Sequence, residues 1–165
     1  MATEITTFSV ALIVLSDRAF SGERPDQCLP VMREHLGPAY QIVEEAVIAD
    51  DAGELQARLI DLCDGSRARL VLTSGGTGLG PRDRTPQATA AIIDYEVPGI
   101  SEAIRSASIK IVKSAMLSRG IAGVRHRTLI VNLPGSPKAV AESLDVIVSV
   151  LPHALELLSG DVTDG

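Results

Sequence analysis

Blocks of apolar residues recur along the chain between blocks of mixed polarity, and this pattern predicts strands that alternate with helices. The run FSVALIVL at residues 8–15 is continuously apolar and rich in β-branched residues, which is typical of a strand buried on both faces of a parallel sheet. Shorter runs occupy residues 70–73 and 128–133, and the mixed stretch at residues 41–48 fits a further strand. Four strands of a mainly parallel sheet are therefore expected.

Helices are predicted between and after these strands from amphipathic spacing and from start and stop residues. Asp50 and Asp51 stand in the N-cap position of one helix, and Thr85 is a candidate cap for another that has Pro86 in its first turn. Pro152 predicts a kink or a break in the last helix. The predicted helices span residues 27–36, 52–63, 86–95, 100–112 and 137–158.

The alternation of strands and helices predicts an α/β fold, a three-layer sandwich in which helices cover both faces of a mainly parallel sheet. The 165 residues suit one hydrophobic core, and no linker or repeat divides them, so residues 1–165 are interpreted as a single domain. In such folds ligands bind beyond the carboxyl ends of the strands, which we call the carboxyl edge. Four polar or glycine-rich segments are expected at this edge, at residues 16–18, 50–51, 74–83 and 132–136.

Composition narrows the class of ligand. With 15 basic and 21 acidic residues, 2% aromatic residues and no Trp, the chain lacks both the positive surface and the stacking platforms that nucleic-acid-binding proteins use. Cys28 and Cys63 stand alone without metal-ligand spacing, which fits a reducing compartment. The N-terminal stretch has no basic region, and its apolar run is too short to span a membrane. We therefore expect a cytoplasmic protein with no nucleic-acid or membrane partner.

The segment SGGTGLGPRDRTPQAT at residues 74–89 is rich in glycine and directly follows a predicted strand. Its glycines match neither the P-loop nor the dinucleotide-binding pattern. Gly75, Gly76 and Gly78 would nevertheless let backbone N–H groups converge on an anion such as a phosphate. The alternative is an ordinary strand-to-helix turn that needs unusual dihedral angles.

Asp83 lies within this glycine segment, where a carboxylate would repel a phosphate unless a cation lay between them. Proteins typically hold Mg²⁺ with one or two carboxylates together with substrate phosphates, so Asp83 is a candidate Mg²⁺ ligand. Spacing alone leaves either Asp50 or Asp51 as the second carboxylate, and it leaves Asp83 the alternative of a cap or an exposed loop charge. Arg82 and Arg84 are either phosphate partners or solvated surface charges.

A second turn-rich segment runs from Asn132 through Gly135 and Ser136 to Lys138. It is either a strand-to-helix connection with Pro137 at the first helical position, or a loop whose N–H groups and Ser136 hydroxyl contact a nucleotide. The three histidines are far apart in the sequence, and no Ser-His-Asp or Cys-His arrangement is supported. A hydrolase with a covalent nucleophile is therefore disfavoured.

Five motifs together resemble the molybdopterin adenylyltransferases of molybdenum-cofactor biosynthesis. The likeness is strongest to the bacterial single-domain type, and a similar domain occurs in gephyrin-like fusion proteins. The order and spacing of the motifs match that family over nearly the whole chain. They are VLSDRAFSG (14–22), TSGGTGLGPRDRTPQAT (73–89), VPGISEAIR (97–105), AMLSRGIAGVR (115–125) and TLIVNLPGSPKAV (128–140).

The resemblance implies a Mg²⁺-dependent reaction in which the terminal phosphate of molybdopterin attacks the α-phosphorus of ATP and pyrophosphate is released. It implies that Asp50 and Asp83 are the catalytic, metal-linked aspartates, and that Ser108 and Ser118 lie on the molybdopterin side. The residues that it implies on the nucleotide side are Gly75, Gly76, Thr77, Asn132, Gly135 and Ser136, with Ser16 and Asp17 nearby.

The resemblance further implies a homotrimer, and transient contacts with proteins that supply molybdopterin or insert molybdate. Ala49 and Arg84 stand where relatives often have Pro and Val, but neither is a proposed ligand. The alternative is a non-catalytic molybdopterin-binding or carrier module of the same fold, which the presence of both Asp50 and Asp83 disfavours. A related domain of nicotinamide nucleotide metabolism usually accompanies a second domain, for which 165 residues leave no room.

Overall fold

The computed structural model describes residues 6–161, so the first five residues of the N-terminal stretch considered for a targeting signal lie outside the described residues. The strands are β1 (Phe8–Leu15), β2 (Tyr40–Ile48), β3 (Leu70–Ser74), β4 (Tyr95–Glu96), β5 (Ala122–Arg125) and β6 (Thr128–Leu133). The α-helices are α1 (Asp17–Phe20), α2 (Cys28–Leu36), α3 (Ala52–Asp64), α4 (Thr85–Ala90), α5 (Pro98–Ile109), α6 (Pro137–Ile147) and α7 (Leu151–Ser159). Short 3₁₀ helices span Gly37–Ala39 and Lys113–Leu117.

The six strands form one sheet in the order β2-β1-β3-β6-β5-β4. The first four in this order run parallel, whereas β5 runs antiparallel to β6 and β4 antiparallel to β5. The prediction of a mainly parallel sheet is confirmed. Because the four parallel strands end at the same side, the segments that follow them share one carboxyl edge.

Alternate residues of β1 enter two separate cores, one on each face of the sheet. Val10 and Leu12 pack on one side with apolar residues of α2, α6 and α7, whereas Ala11 and Ile13 pack on the other side with apolar residues of α3 and α4. This arrangement explains why the β1 sequence is apolar at nearly every position. It also confirms the predicted three-layer sandwich.

Several predicted element boundaries are confirmed. The helix α3 begins after Asp51, whose Oδ1 accepts a hydrogen bond of 2.8 Å from the Glu54 N–H, so Asp51 is its N-cap. The long helix predicted at residues 137–158 divides into α6 and α7, and Pro152 lies in the first turn of α7. None of the helices described is both long and apolar enough to cross a membrane.

The predicted helix over residues 86–95 is wrong in its second half. The helix α4 ends at Ala90, and the chain then pairs with β5, since the Asp94 and Val97 N–H groups donate to carbonyls of that strand. The predicted cap at Thr85 is also wrong, because its hydroxyl donates instead to the Gly75 carbonyl at 2.9 Å. The following helix, expected at residues 100–112, begins two residues earlier, with Pro98 in its first turn.

Candidate functional site

The carboxyl edge brings together the four segments that the sequence singles out. Along the sheet order they are Asp50 after β2, Ser16 and Asp17 after β1, the glycine segment after β3, and Gly135 after β6. The Ser16 N–H donates to the Ile48 carbonyl, and the Gly75 N–H donates to the Leu133 carbonyl, so neighbouring strand ends remain joined beyond the sheet.

Asp17 and Asp50 form a reciprocal pair across the ends of β1 and β2. The Asp17 N–H donates to Asp50 Oδ2 at 3.1 Å, and the Asp50 N–H donates to Asp17 Oδ1 at 3.0 Å. The Arg82 guanidinium donates to both oxygens of Asp17, at 2.6 and 2.9 Å. Arg82 therefore lies within the carboxyl edge and neutralises Asp17, while Arg84 is exposed at the start of α4.

The pKa values of Asp17 and Asp50 are shifted in opposite directions. The hydrogen bonds from Arg82 lower the pKa of Asp17 below its usual value. Burial raises the pKa of Asp50 above its usual value, and the negative charges of Asp17 and Asp83 add to that shift. Asp50 thus carries a charge that the protein itself leaves incompletely compensated, which is the setting in which a cation is bound.

The glycine segment needs glycine at its first two turn positions. Gly75 has φ +99°, and a Cβ there would lie 2.2 Å from the Leu15 carbonyl oxygen. Gly76 has φ +68°, and a Cβ there would lie 2.2 Å from the Thr85 hydroxyl. Residues other than glycine rarely adopt positive φ values, and the close contacts leave no space for a side chain at either position. The backbone therefore passes closer to β1 and α4 than any other residue would allow.

The carboxylates of Asp50 and Asp83 both lie against this segment. The Gly80 N–H donates to Asp83 Oδ2 at 2.9 Å, and a Cβ on Gly78 would lie 3.0 Å from the same oxygen. A Cβ on Gly76 would lie 3.5 Å from Asp50 Oδ1. The neighbouring Asp51 instead caps α3 and is exposed. Of the two alternatives that spacing left open, Asp50 is the carboxylate beside the glycine segment.

These residues fit a Mg²⁺ ion through the chemistry of their donors. Asp50 and Asp83 offer hard carboxylate oxygens. Burial, and after it the charges of Asp17 and Asp83, raise the pKa of Asp50, and a cation beside it would favour its charged form. Among residues 6–161, no group of three or more His, Cys, Asp or Glu side chains gathers at one point to hold a metal ion. An ion held here would therefore take further oxygens from phosphates and water, as Mg²⁺ commonly does.

Two pockets lie at the carboxyl edge, and the wall of the second includes Thr77 and Gly78 of the glycine segment. The first encloses ≈ 370 Å³ and is lined by Ser16, Cys28, Gly135 and Ser136 among others. The second encloses ≈ 310 Å³, and its lining includes four of the predicted site residues, Thr77, Ser108, Ser118 and Ser136. Ser136 borders both pockets, so they lie side by side at the N-terminus of α6, where the Ser136 Oγ accepts the Ala139 N–H. Two serines from different elements, Ser108 of α5 and Ser118 after the second 3₁₀ helix, thus face one cavity.

Asn132 occupies a different position from the other predicted nucleotide residues. Its side chain is buried, and its Nδ2 donates to the hydroxyls of Thr73 and Thr89 at 3.0 and 3.1 Å. Its Oδ1 accepts the Ile121 N–H at 3.2 Å. Asn132 therefore ties β6 to β3, to α4 and to the segment before β5.

Two arginines with no role assigned from the sequence also belong to the site. Arg119 Nε donates to the Gly78 carbonyl at 2.8 Å, and Arg105 Nη1 donates to the carbonyls of Ser118 and Gly120. In the sequence, only its position next to Ser118 in the motif LSRG associates Arg119 with the site. That its side chain reaches the glycine segment, 41 residues away along the chain, becomes visible only in the fold.

Comparisons with known proteins identify the family of the chain. A family model described as a probable molybdopterin binding domain matches residues 11–153. The molybdopterin adenylyltransferase of Escherichia coli K12 is 37% identical over 94% of this chain and 88% of its own length, and that of Helicobacter pylori 26695 is 36% identical over 94% and 90%. The molybdenum cofactor synthesis protein cinnamon of Drosophila melanogaster is 38% identical over 97% of this chain, which spans only 27% of that protein.

Solved structures extend the likeness to the backbone. The molybdopterin biosynthesis enzyme MoaB of Thermus thermophilus superposes with a TM-score of 0.88 at 45% identity, over 93% of this chain and 98% of that one. The tungsten cofactor synthesizing protein MoaB of Pyrococcus furiosus gives a TM-score of 0.83 at 31% identity, over 95% and 99%. A family model that covers most of the chain, relatives at this identity and a shared fold lead to one conclusion: the chain belongs to the molybdopterin-binding domain family of molybdenum-cofactor biosynthesis.

Proposed function

We propose that the protein is a molybdopterin adenylyltransferase, which transfers AMP from ATP to the terminal phosphate of molybdopterin and releases pyrophosphate. Relatives named for this activity match 94% of the chain at 36 to 37% identity. The structural observation that carries the proposal is the pair of adjoining pockets that share Ser136, at an edge where the carboxylates of Asp50 and Asp83 lie against the glycine segment. Two substrates in these pockets would bring their phosphates to the same edge of the sheet.

The reaction needs positioning and charge neutralisation rather than a nucleophile from the protein. An oxygen of the terminal phosphate of molybdopterin forms a bond to the α-phosphorus of ATP, and the bond from that phosphorus to the bridging oxygen of the pyrophosphate breaks. In the proposal, Ser16, Gly135 and Ser136 contact the nucleotide in the first pocket. Ser108 and Ser118 hold molybdopterin in the second.

Four further predicted residues, Asp17, Gly75, Gly76 and Thr77, have supporting roles in the proposal. Gly75 and Gly76 bring the backbone close to the phosphates, and Thr77 forms part of the wall of the second pocket. Asp17 orients Asp50 and is itself held by Arg82. Mg²⁺, held by Asp50 and Asp83, would supply positive charge that screens the phosphates from one another.

The placement of Asp50 favours an enzyme over a carrier of molybdopterin. Burial raises the pKa of Asp50, so the fold holds a carboxylate where its charge is disfavoured, and residues with shifted pKa values cluster at functional sites. A protein that only stored the pterin would need the pocket of Ser108 and Ser118 but would gain nothing from this carboxylate pair.

The direct test is incubation of the protein with molybdopterin, α-labelled ATP and MgCl₂, with detection of pyrophosphate and of the adenylylated pterin. Formation of both products in equal amounts supports the proposal. If the folded protein binds molybdopterin but releases no pyrophosphate, the protein is a carrier and the proposal is wrong.

The carboxylate pair is tested by Asp83→Asn, which keeps the shape of the side chain and removes its charge. We expect the transfer rate to fall about 10²- to 10³-fold, as when a group that stabilises transition-state charge is lost. Molybdopterin binding, measured by fluorescence titration, should stay unchanged. The matched control is Asp51→Asn, since asparagine also caps helices and this variant should transfer AMP at the normal rate. Equal rates for the two variants would contradict the role of Asp83.

The proposal also covers the assembly, the location and the partners of the protein. A homotrimer, a cytoplasmic location and brief contacts with proteins that make molybdopterin or insert molybdate are proposed from the family resemblance. The buried free thiols of Cys28 and Cys63 support a reducing compartment.

A further inference from the structure

Arg119 holds the glycine segment at two places, Thr77–Gly78 and Asp83. Its backbone N–H donates to the Thr77 carbonyl at 2.9 Å, its Nε donates to the Gly78 carbonyl at 2.8 Å, and its Nη2 donates to the Asp83 carbonyl at 2.5 Å. Hydrogen bonds from a guanidinium to a carbonyl are stronger than those between neutral groups. One residue therefore fixes the turn that carries the Asp83 carboxylate.

The same residue adjoins the pocket of Ser108 and Ser118. Arg119 directly follows Ser118, whose carbonyl accepts a bond of 3.1 Å from Arg105 of α5. The 3₁₀ helix just before it makes few core contacts, since Met116 and Leu117 are 57% and 51% exposed. Two arginines hold residues 113–120 from opposite sides: Arg105 donates to this segment from α5, and Arg119 donates from it to the glycine segment.

We propose that Arg119 is a positioning residue that couples the pocket of Ser108 and Ser118 to the turn that carries Asp83, so that a ligand in that pocket strengthens binding of the Mg²⁺-nucleotide beside Asp83. The inference rests on the proposed function, which supplies the two ligands. A ligand that contacts Ser118 restricts residues 113–120, and Arg119 transmits that restriction to Gly78 and Asp83. The second ligand then binds a segment that is already ordered. By thermodynamic linkage, nucleotide strengthens pterin binding by the same factor.

The coupling is measured by calorimetric titration of α,β-methylene-ATP with Mg²⁺, in the absence and in the presence of saturating molybdopterin. This nucleotide cannot donate AMP, so binding is measured without reaction. For the unaltered protein we expect molybdopterin to lower the Kd of the nucleotide about 5- to 10-fold, within the usual range of coupling between sites. For Arg119→Met we expect a ratio of about 1, and for Arg119→Lys, which restores one donor, an intermediate ratio.

Two controls separate coupling from general damage. Arg125 also joins distant parts of the fold, since it donates to the Asp64 carboxylate and to the Ile92 carbonyl, but it lies away from both pockets. Arg125→Met should therefore lower the Tm and leave the coupling ratio intact. Arg105→Met should weaken molybdopterin binding and leave the nucleotide Kd measured alone unchanged.

The inference is overturned if Arg119→Met, or Arg119→Lys should the first variant not fold, keeps the full coupling ratio. It is also overturned if the unaltered protein shows no coupling. Failure of the proposed function would give a different result. The unaltered protein would then transfer no AMP from ATP, whether or not molybdopterin changes the Kd of the nucleotide.

Discussion

Asp50 carries its charge in a half-buried position beside two other carboxylates. Its own backbone N–H is used to hold Asp17, and its Oδ2 accepts the Asp17 N–H, so the side chain is oriented by the residue whose charge opposes it. Arg82 compensates Asp17 by direct contact, whereas Asp50 has no direct cationic partner among the described residues. Burial, and after it the charges of Asp17 and Asp83, raise the pKa of Asp50, so its charged form makes the site less stable than an uncharged equivalent.

Asp50→Asn should accordingly stabilise the protein at neutral pH while it abolishes transfer. Since the folded-state pKa of Asp50 is raised above the usual 3.8, the folded protein loses stability as pH rises through that pKa, and the variant does not. The Tm difference in favour of the variant should be near zero well below this pKa and should grow to a constant value above it. Differential scanning calorimetry at several pH values without divalent cations measures this difference. A variant that is less stable than the unaltered protein at neutral pH would contradict it.

Individual residues show what the sequence could and could not predict. Asp50 and Asp51 are neighbours of the same type, and no spacing distinguishes a helix cap from a group beside the glycine segment. Only the path of the chain after β2 separates their roles. For Arg82 the sequence allows either a phosphate partner or a solvated surface charge. Its contact with Asp17 joins positions 65 residues apart, so it is visible only in the fold. Site chemistry is thus visible in the sequence as residue types, and the pairing of those types requires the fold.

The turn between β3 and α4 requires glycine, because at Gly75 its backbone lies against the backbone of β1. A Cβ on Gly75 would lie 2.2 Å from a backbone oxygen of β1, which cannot move without disturbing the sheet. Gly22 also has a positive φ, +79°, but has no atom within 4 Å of the added Cβ position. A side chain at Gly22 or at Gly75 would meet the same strain from a positive φ, but only at Gly75 would it also clash with another strand.

Gly75→Ala should destabilise the fold by about 2–5 kcal/mol, the sum of left-handed strain and overpacking, and should abolish AMP transfer. Gly22→Ala is the matched variant and should cost only the strain, about 1–2 kcal/mol, with transfer retained. Urea unfolding of both variants gives the comparison. Equal losses of stability would show that contact with β1 is unimportant.

The elements that the sequence predicted well are the ones with strong local patterns. β1, β3 and β6 are apolar at nearly every position because both faces of the sheet are covered. β4 and β5 escaped prediction because Tyr95–Glu96 is only two residues long and Ala122–Arg125 contains a glycine, so neither has a distinct periodicity. The chain after Ala90 runs toward β4 and its pairing with β5, so α4 ends there. The helix propensities of residues 91–95 do not indicate this early end.

At the scale of the whole molecule, the chain has a net charge of −6 and yet is proposed to bind two phosphorylated ligands. The fold meets this by confining positive groups to particular points of the carboxyl edge, with Arg82 on Asp17 and Arg119 on the glycine segment. Attraction of the ligands therefore depends on short-range contacts and on a cation rather than on overall charge.

The assembly state is a separate prediction at this scale. We expect a homotrimer, with a mass three times the 17.4 kDa of the chain, because the family that the sequence resembles is usually trimeric. Sedimentation equilibrium at micromolar concentration measures this mass directly. A single species at the mass of one chain would contradict the expectation.

Ser136 lies on the shared boundary of the two pockets. A compound that joins an adenosine group to a pterin through a short linker would enter both pockets as one molecule, and it would lose its translational freedom once instead of twice. Such a bisubstrate inhibitor should bind more tightly than either half, and its best linker would be just long enough to pass the Ser136 hydroxyl. The position of Ser136 between the two pockets thus sets the linker length of a bisubstrate inhibitor.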